Sequence, residues 1–226
     1  LGVSICSSAT AYEQTAVTTT SGTEALGQTV ISVTDASVIN VGDIVNFGET
    51  FEYETTARNT TNNTITIKLK DDPNGAGLQS QITSGTNIRR RWRFYDLFDG
   101  APGTSNFASD LTASNDEMHV VVLDQEGLLT GTRGQVLETY PFVSGASNAK
   151  NPDGTTNFAI DVINTRSEYI YMVDFDSDFK QTAGVAHGQP AVAGSNFLLN
   201  AHPRGHAYNF DSGVNSGALG TTEILR

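Results

Sequence analysis

The stretch that decides the fold is residues 115–175, which read NDEMHVVVLDQEGLLTGTRGQVLETYPFVSGASNAKNPDGTTNFAIDVINTRSEYIYMVDF. Residues 118–123 form an almost continuous apolar run rich in β-branched side chains, which is typical of a strand buried on both faces. Residues 135–142 and 169–175 predict two further strands, the second also buried. Residues 153–156 predict the start of a helix, because apolar side chains at helical spacing follow them. The order strand, hairpin, helix, strand indicates an α+β or α/β domain.

Several motifs of this stretch occur together in one order. The strand Asn115-Asp116-Glu117-Met118-His119 leads to an Asp-x-x-Gly turn, a Leu-Glu-x-Tyr strand and an Ala-x-x-Ala-Lys-x-x-Asp-Gly loop. A helix ending before Ser-x-Tyr-Ile follows, and APGTS at 101–105 lies upstream. In these motifs the chain resembles the central domain of contractile tail sheath proteins from tailed bacteriophages. The resemblance covers residues 94–175, is weaker to residue 226, and is not visible before residue 93.

The resemblance implies a structural virion protein rather than an enzyme. A sheath subunit polymerises around the tail tube, and the sheath contracts to drive the tube through the host envelope. The implied partners are further copies of the chain, the tail tube protein, and baseplate and tail terminator proteins. The resemblance brings no catalytic residue, cofactor or metal, and no direct contact with nucleic acid or insertion into membrane. It places the protein in the phage tail after assembly in the host cytoplasm. Sheath subunits are longer and carry terminal arms, so we expect a central fragment.

Residues 28–93 have a different texture from the rest of the chain. Phe51, Tyr53 and Thr55 alternate with Glu52 and Glu54, which is the period-two pattern of a half-buried strand, and residues 65–70 alternate in the same way. Short strands at close spacing predict a small barrel or sandwich. We therefore predict an α+β protein. Its main α/β-type domain, residues 1–27 and 94–226, has a mixed sheet and few helices, and residues 28–93 form an inserted all-β domain.

Composition and charge argue against general nucleic-acid binding, an internal disulfide and a membrane span. The formal net charge is −12, and an acidic chain is a poor general binder of nucleic acid, because phosphate contacts need clustered Lys and Arg. The one cysteine, Cys6, excludes an internal disulfide and fits a reducing compartment. No apolar run approaches the ~20 residues that span a bilayer.

A cluster of arginines stands out in this acidic chain. Arg89, Arg90, Arg91 and Arg93 surround Trp92. As a candidate interface patch, they would contact an acidic surface, and a protein surface fits better than nucleic acid. The alternative is the edge of a sheet with solvated arginines, where positive charge discourages wrong pairing and Trp92 covers the core.

Other charged and histidine motifs are less complete. Asp174, Asp176 and Asp178 alternate like the opening of a calcium loop, but the glycine and glutamate that should follow are missing. His202 and His206 are four residues apart, but the Pro and Gly between them disfavour a helix and a zinc site. A hydrolase with His119 and these groups around a pocket stays open as one alternative, although no Gly-x-Ser-x-Gly occurs. His119 itself is more typical of a hydrogen-bonded core histidine. A β-rich adhesin or carbohydrate-binding protein is the second alternative, which exposed aromatic platforms on 28–93 would favour.

Overall fold

The computed structural model describes residues 1–175, 185–197 and 206–209, and these divide into two compact units. The first unit contains Leu1–Ser7 and the described residues from Pro102 onward, and the second is Ser8–Ala101. Strands predominate over helices. The strands are β1 Gly2–Cys6, β2 Glu13–Thr19, β3 Val30–Ser32, β4 Ile44–Asn46, β5 Tyr53–Asn59, β6 Thr64–Leu69, β7 Asn87–Arg91, β8 Glu117–Asp124, β9 Gln135–Ser144 and β10 His206–Asn209. The helices are α1 Ala9–Tyr12, α2 Asn106–Asp110 and α3 Ala159–Arg166, and Tyr95–Leu97 is one 3-10 turn.

The first unit is built around strand β8, as its apolar run predicts. Its sheet has the order β10-β1-β8-β9, so β8 is an inner strand. Every residue of β8 after Glu117 is buried, which confirms the strand buried on both faces. Val120 and Val122 pack with Val3 and Ile5 of β1 and with α3 in the apolar core. All three pairings in this sheet are antiparallel. The expectation of a mixed sheet is therefore wrong for the described strands.

The predicted third buried strand at residues 169–175 is also wrong. No strand forms there, and the side chains of Tyr169, Tyr171 and Val173 are not buried, with 41%, 75% and 54% of their surface exposed. The physical reason is Asn164 of α3. Its side-chain amide donates to the carbonyl of Met172 (2.8 Å), and its side-chain oxygen accepts the N–H of the same residue (2.7 Å). The Asn164 side chain thus forms the two hydrogen bonds with the Met172 backbone that a neighbouring strand would otherwise have formed.

The predicted helix exists, but it begins later than predicted. Residues 153–156 form a turn, in which the Asp153 carboxylate accepts the N–H of Thr155 (3.0 Å) and Gly154 has a φ of +84°. Hydrogen bonds that the side chain and the backbone N–H of Thr155 donate to the Asp153 carboxylate lower its pKa. Helix α3 begins only at Ala159 and buries Ala159, Val162 and Ile163 against the sheet.

The second unit is a six-stranded antiparallel sheet of order β2-β7-β4-β5-β6-β3. The predicted hairpin is present, because β5 and β6 pair from Tyr53 with Leu69 to Asn59 with Thr64. The sheet curls until its edges meet. Thr20 and Val33 form a bridge between the ends of β2 and β3, where the N–H of Thr34 donates to the carbonyl of Thr19 (2.8 Å). Twelve buried residues, all apolar or aromatic, fill the interior.

The extent of the second unit differs from the predicted insertion at 28–93. Strand β2 lies before residue 28, yet its hydrogen-bonding partner is β7. A strand belongs with the sheet whose backbone groups it satisfies, so Ser8 begins the unit and Ala101 ends it. From sequence, TAVTTTSG at 15–22 predicts either a linker or an exposed strand, and the pairing of β2 with β7 decides for the strand. Within the described residues, no helix has both the length and the apolar character to cross a membrane.

Candidate functional site

The motif residues of the first unit meet around one buried carboxylate, Asp116. One carboxylate oxygen accepts the N–H of Ser105 (2.8 Å), and the other accepts the hydroxyls of Ser105 (2.8 Å) and Ser144. The Ser105 oxygen also caps α2 by accepting the N–H of Ala108 (3.1 Å), and the Ser144 oxygen accepts the N–H of Ala146 (3.0 Å). We call this set the Asp116 network. It ties the loop before α2, strand β8 and the end of β9 together.

The neighbours of Asp116 also hold the chain together. Glu117 accepts the N–H of Gly103 (3.0 Å), and its own N–H donates to the carbonyl of Gly103 (3.1 Å). Burial, with the charge of Asp116 adding to it, raises the pKa of Glu117. His119 is fully buried, and its Nδ1 accepts the N–H of Phe142 (3.1 Å), which has a φ of +50° at a bulge of β9. The prediction of a hydrogen-bonded core histidine is confirmed.

The turn after β8 is ordered by the carboxylate of Asp124. Its oxygens accept the N–H groups of Leu128 (3.0 Å), Leu129 (2.9 Å) and Thr130 (2.7 Å), and also the Thr130 hydroxyl (3.0 Å). Burial alone would raise the pKa of Asp124, but these hydrogen bonds outweigh it, and the pKa is lowered. The turn presents Leu128 and Leu129 to solvent, with 87% and 59% of their surface exposed.

The four arginines of the candidate interface patch do not form one surface. Arg90 is fully buried, and its guanidinium lies 3.7 Å from the carboxylate of Asp43. It also donates to the carbonyls of Thr10 (3.1 Å) and Val38 (3.3 Å). Arg90 is therefore part of the interior of the second unit and cannot contact a partner from an exposed patch. Its strand β7 lies between β2 and β4, so the alternative of a sheet edge is wrong as well.

The other three arginines lie nearer the surface. The guanidinium of Arg93 stacks over the ring of Phe94, at 5.1 Å from its centroid. Arg89 and Arg91 are two residues apart on β7 and therefore share the face opposite to Arg90. Trp92 is buried and packs on Phe94 with a ring separation of 5.5 Å.

Arg89 and Arg91 line a cavity of about 550 Å³ on the second unit, which we call the charged groove. This volume is within the usual range of small-molecule sites. The wall comes from β4, from β7, from the loop before β5 and from the end of β6. The lining residues are Ile44, Asn46, Glu49, Thr50, Phe51, Glu52, Leu69, Lys70, Asp71, Arg89 and Arg91.

Most charges of the groove are already paired. The Arg91 guanidinium lies 3.4 Å from the Glu52 carboxylate, and the Lys70 amine lies 3.4 Å from the carboxylate of Asp71. Arg91 also stacks on the ring of Tyr95, with 4.9 Å to its centroid. These pairs neutralise four of the charges that face the cavity.

Glu49 is held by hydroxyl groups instead of a cation. It accepts the hydroxyl of Tyr53 (2.7 Å) and the hydroxyl of Ser80. Burial of Tyr53 raises the pKa of its hydroxyl, and the hydrogen bond to Glu49 adds to this, so Tyr53 remains a neutral donor. Sequence analysis missed Glu49 and Phe51 as groove residues. The Phe51-Glu52-Tyr53 alternation suggested a buried Phe51, whereas Phe51 precedes β5 and is 42% exposed.

Most of the remaining candidate groups cannot be placed relative to one another. Asp176, Asp178 and His202 lie outside the described residues, and only the backbone of His206 is described. The Asp174 carboxylate accepts the N–H of Phe175 (2.9 Å). Within the described ranges, no three His, Cys, Asp or Glu side chains are grouped to hold a metal ion. Comparison with protein-family models, curated proteins and solved structures found no match.

Proposed function

We propose that this chain is part of a contractile tail sheath subunit. The observation that carries the proposal is that the motif residues hold parts of the first unit together. Asp116, Glu117, His119 and Ser105 all belong to the ordered motifs that resemble sheath proteins, and all of them bind other parts of the first unit. Residues held in this way build a rigid body rather than a reaction centre.

A rigid body is what a sheath subunit needs. A contracting sheath needs no active site, because its work comes from contacts between subunits that have two alternative arrangements. A few kcal/mol per subunit, summed over many copies, is enough, and this figure is of the order of typical switching energies (~5.5 kcal/mol for a full shift). The subunit must transmit such a change without deforming, and the Asp116 network links three segments of the first unit for that purpose.

The first unit also has a surface suited to covering by a neighbour. Tyr169, Tyr171 and Val173 are exposed at alternating positions of the chain, while Ile170 and Met172 between them pack on the core. Contiguous exposed apolar surface is rare on monomeric proteins, and where it occurs it marks an interaction surface. We assign this surface to contacts between copies, with tail tube, baseplate and terminator proteins as the further partners. The second unit, which holds only the first eight residues of the stretch that carries the resemblance, is assigned to the outside of the sheath.

Antibody labelling of virions tests this proposal. Antibodies against this chain, coupled to gold, are applied to particles of the phage that encodes it and viewed by electron microscopy. A sheath subunit gives label along the whole length of the tail. Label restricted to fibres or to the tail tip would identify an adhesin instead, and absence of label from intact and contracted tails would reject a place in the virion surface.

A further inference from the structure

We propose that the charged groove of the second unit binds an acidic oligosaccharide, with the carboxylate of a uronic acid on Arg89 and the sugar ring against Phe51. The proposal is independent of the sheath proposal, because every residue it uses belongs to the second unit.

The first argument is the charge that stays available in the groove. Arg91 and Lys70 are each in an ion pair, whereas Arg89 is exposed and its side chain makes no ion pair or hydrogen bond within the described part of the chain. A planar guanidinium matches a carboxylate through two parallel hydrogen bonds. One free cation among three carboxylates favours a ligand with a single negative charge per unit. A phosphate monoester carries about two negative charges, and the one guanidinium without an ion pair balances only one of them.

The second argument is a preordered aromatic wall. The side-chain amide of Asn46 donates to the carbonyls of Glu49 (2.6 Å) and Phe51 (2.8 Å), and its oxygen accepts the N–H of Gly48 (2.8 Å). The loop that presents Phe51 is therefore fixed before a ligand arrives, which lowers the entropy lost on binding. Phe51 is 42% exposed, and its ring offers an apolar surface to the C–H face of a pyranose.

The third argument is the set of hydrogen-bond acceptors around that ring. Glu52 and Asp71 each have one ion-pair partner, and a carboxylate has about four lone-pair directions. Their remaining lone pairs, with the Thr50 hydroxyl, accept the hydroxyl groups that surround a sugar ring. A ligand with many hydroxyls, one apolar ring face and one carboxylate per unit fits all three features, and an oligosaccharide of uronic acids has this chemistry.

Saturation-transfer NMR and titration calorimetry with tetragalacturonate test the proposal on the 226-residue chain. We expect the acid to bind and its methyl ester to bind at least about tenfold more weakly, since the ester keeps the ring and loses the charge. Arg89→Gln should weaken binding of the acid by about ten- to a hundredfold, the range for hydrogen bonds to a charged group. Phe51→Leu keeps an apolar side chain but removes the ring, and it should weaken binding about three- to tenfold.

Arg133→Gln is the matched control, because it removes the same charge from a side chain that is 72% exposed and does not line the groove. It should leave the affinity unchanged. Equal losses for Arg89→Gln and Arg133→Gln would overturn the proposal, since binding would then follow net charge alone. Absence of saturation transfer from tetragalacturonate, or equal binding of an acetylated tetra-aspartate peptide, would overturn it too. Unchanged circular dichroism spectra establish that each variant is folded.

Discussion

Replacing Asp116 by alanine should destabilise the first unit more than any exposed substitution. The change removes the acceptor for three buried donors, the N–H and hydroxyl of Ser105 and the hydroxyl of Ser144. Each buried donor left without a partner costs about 1–3 kcal/mol. Serine hydroxyls can rotate towards other acceptors, so we take the lower part of the sum and expect a loss of about 3–5 kcal/mol, which is near the top of the range for single substitutions.

Native-state hydrogen exchange is the assay for this variant, because a chain with two units need not unfold in one step. Exchange of the β8 amides reports the free energy of opening the first unit alone. Asp110→Ala is the control, since Asp110 is exposed at the end of α2 and its side chain has no hydrogen bond in the described part of the chain. It should change the free energy by less than about 0.5 kcal/mol. If both variants shift the β8 amides equally, the Asp116 network does not hold the unit together.

Three further substitutions test other parts of the structure. Arg90→Ala should destabilise the second unit by about 3–5 kcal/mol, because it leaves a buried carboxylate without its cation. Arg89→Ala on the same strand is the control and should cost less than about 0.5 kcal/mol, with urea unfolding as the measurement for both variants. Equal effects would contradict the burial of Arg90. Gly145→Ala should lower the melting temperature, because the new Cβ would lie 2.0 Å from Nδ1 of the buried His187, and a melt like that of the parent chain would exclude this packing. The lowered pKa of Asp124 means that its turn is stabilised when the carboxylate is charged and loses that stabilisation as the pH falls through the folded-state pKa, below the ordinary 3.8. Exchange protection of the bonded amides should therefore fall in that acid range, and in Asp124→Asn, which keeps one acceptor oxygen but cannot titrate, it should be lower and show no such fall. Protection independent of pH in the parent chain would refute this.

Strand β8 could be predicted because its information is local. An uninterrupted β-branched run is explained by burial on both faces, whatever surrounds it. Residues 169–175 carry a similar pattern, but their outcome depends on Asn164, whose side chain takes the backbone bonds of Met172. The spacing of apolar residues carries no information about a side chain from a neighbouring helix that hydrogen-bonds to the segment. The pattern therefore predicts a strand where none forms.

The arginine cluster shows the same limit for the candidate site. Alternation along β7 predicts that Arg90 points away from Arg89 and Arg91, but it does not predict which face is inside. Three arginines in succession favour exposure on average, because Arg is almost never buried without a partner. Asp43 supplies that partner from a distant turn. The charged groove was not predictable either, because its wall combines four separate segments that only the folded sheet brings together.

The central claim, that the protein is a sheath subunit, is tested most directly by negative-stain electron microscopy of the complete gene product purified alone. We expect hollow, striated tubes of uniform width, because sheath subunits polymerise through their own contacts. Monomers or small oligomers at high concentration and across salt conditions would contradict the claim.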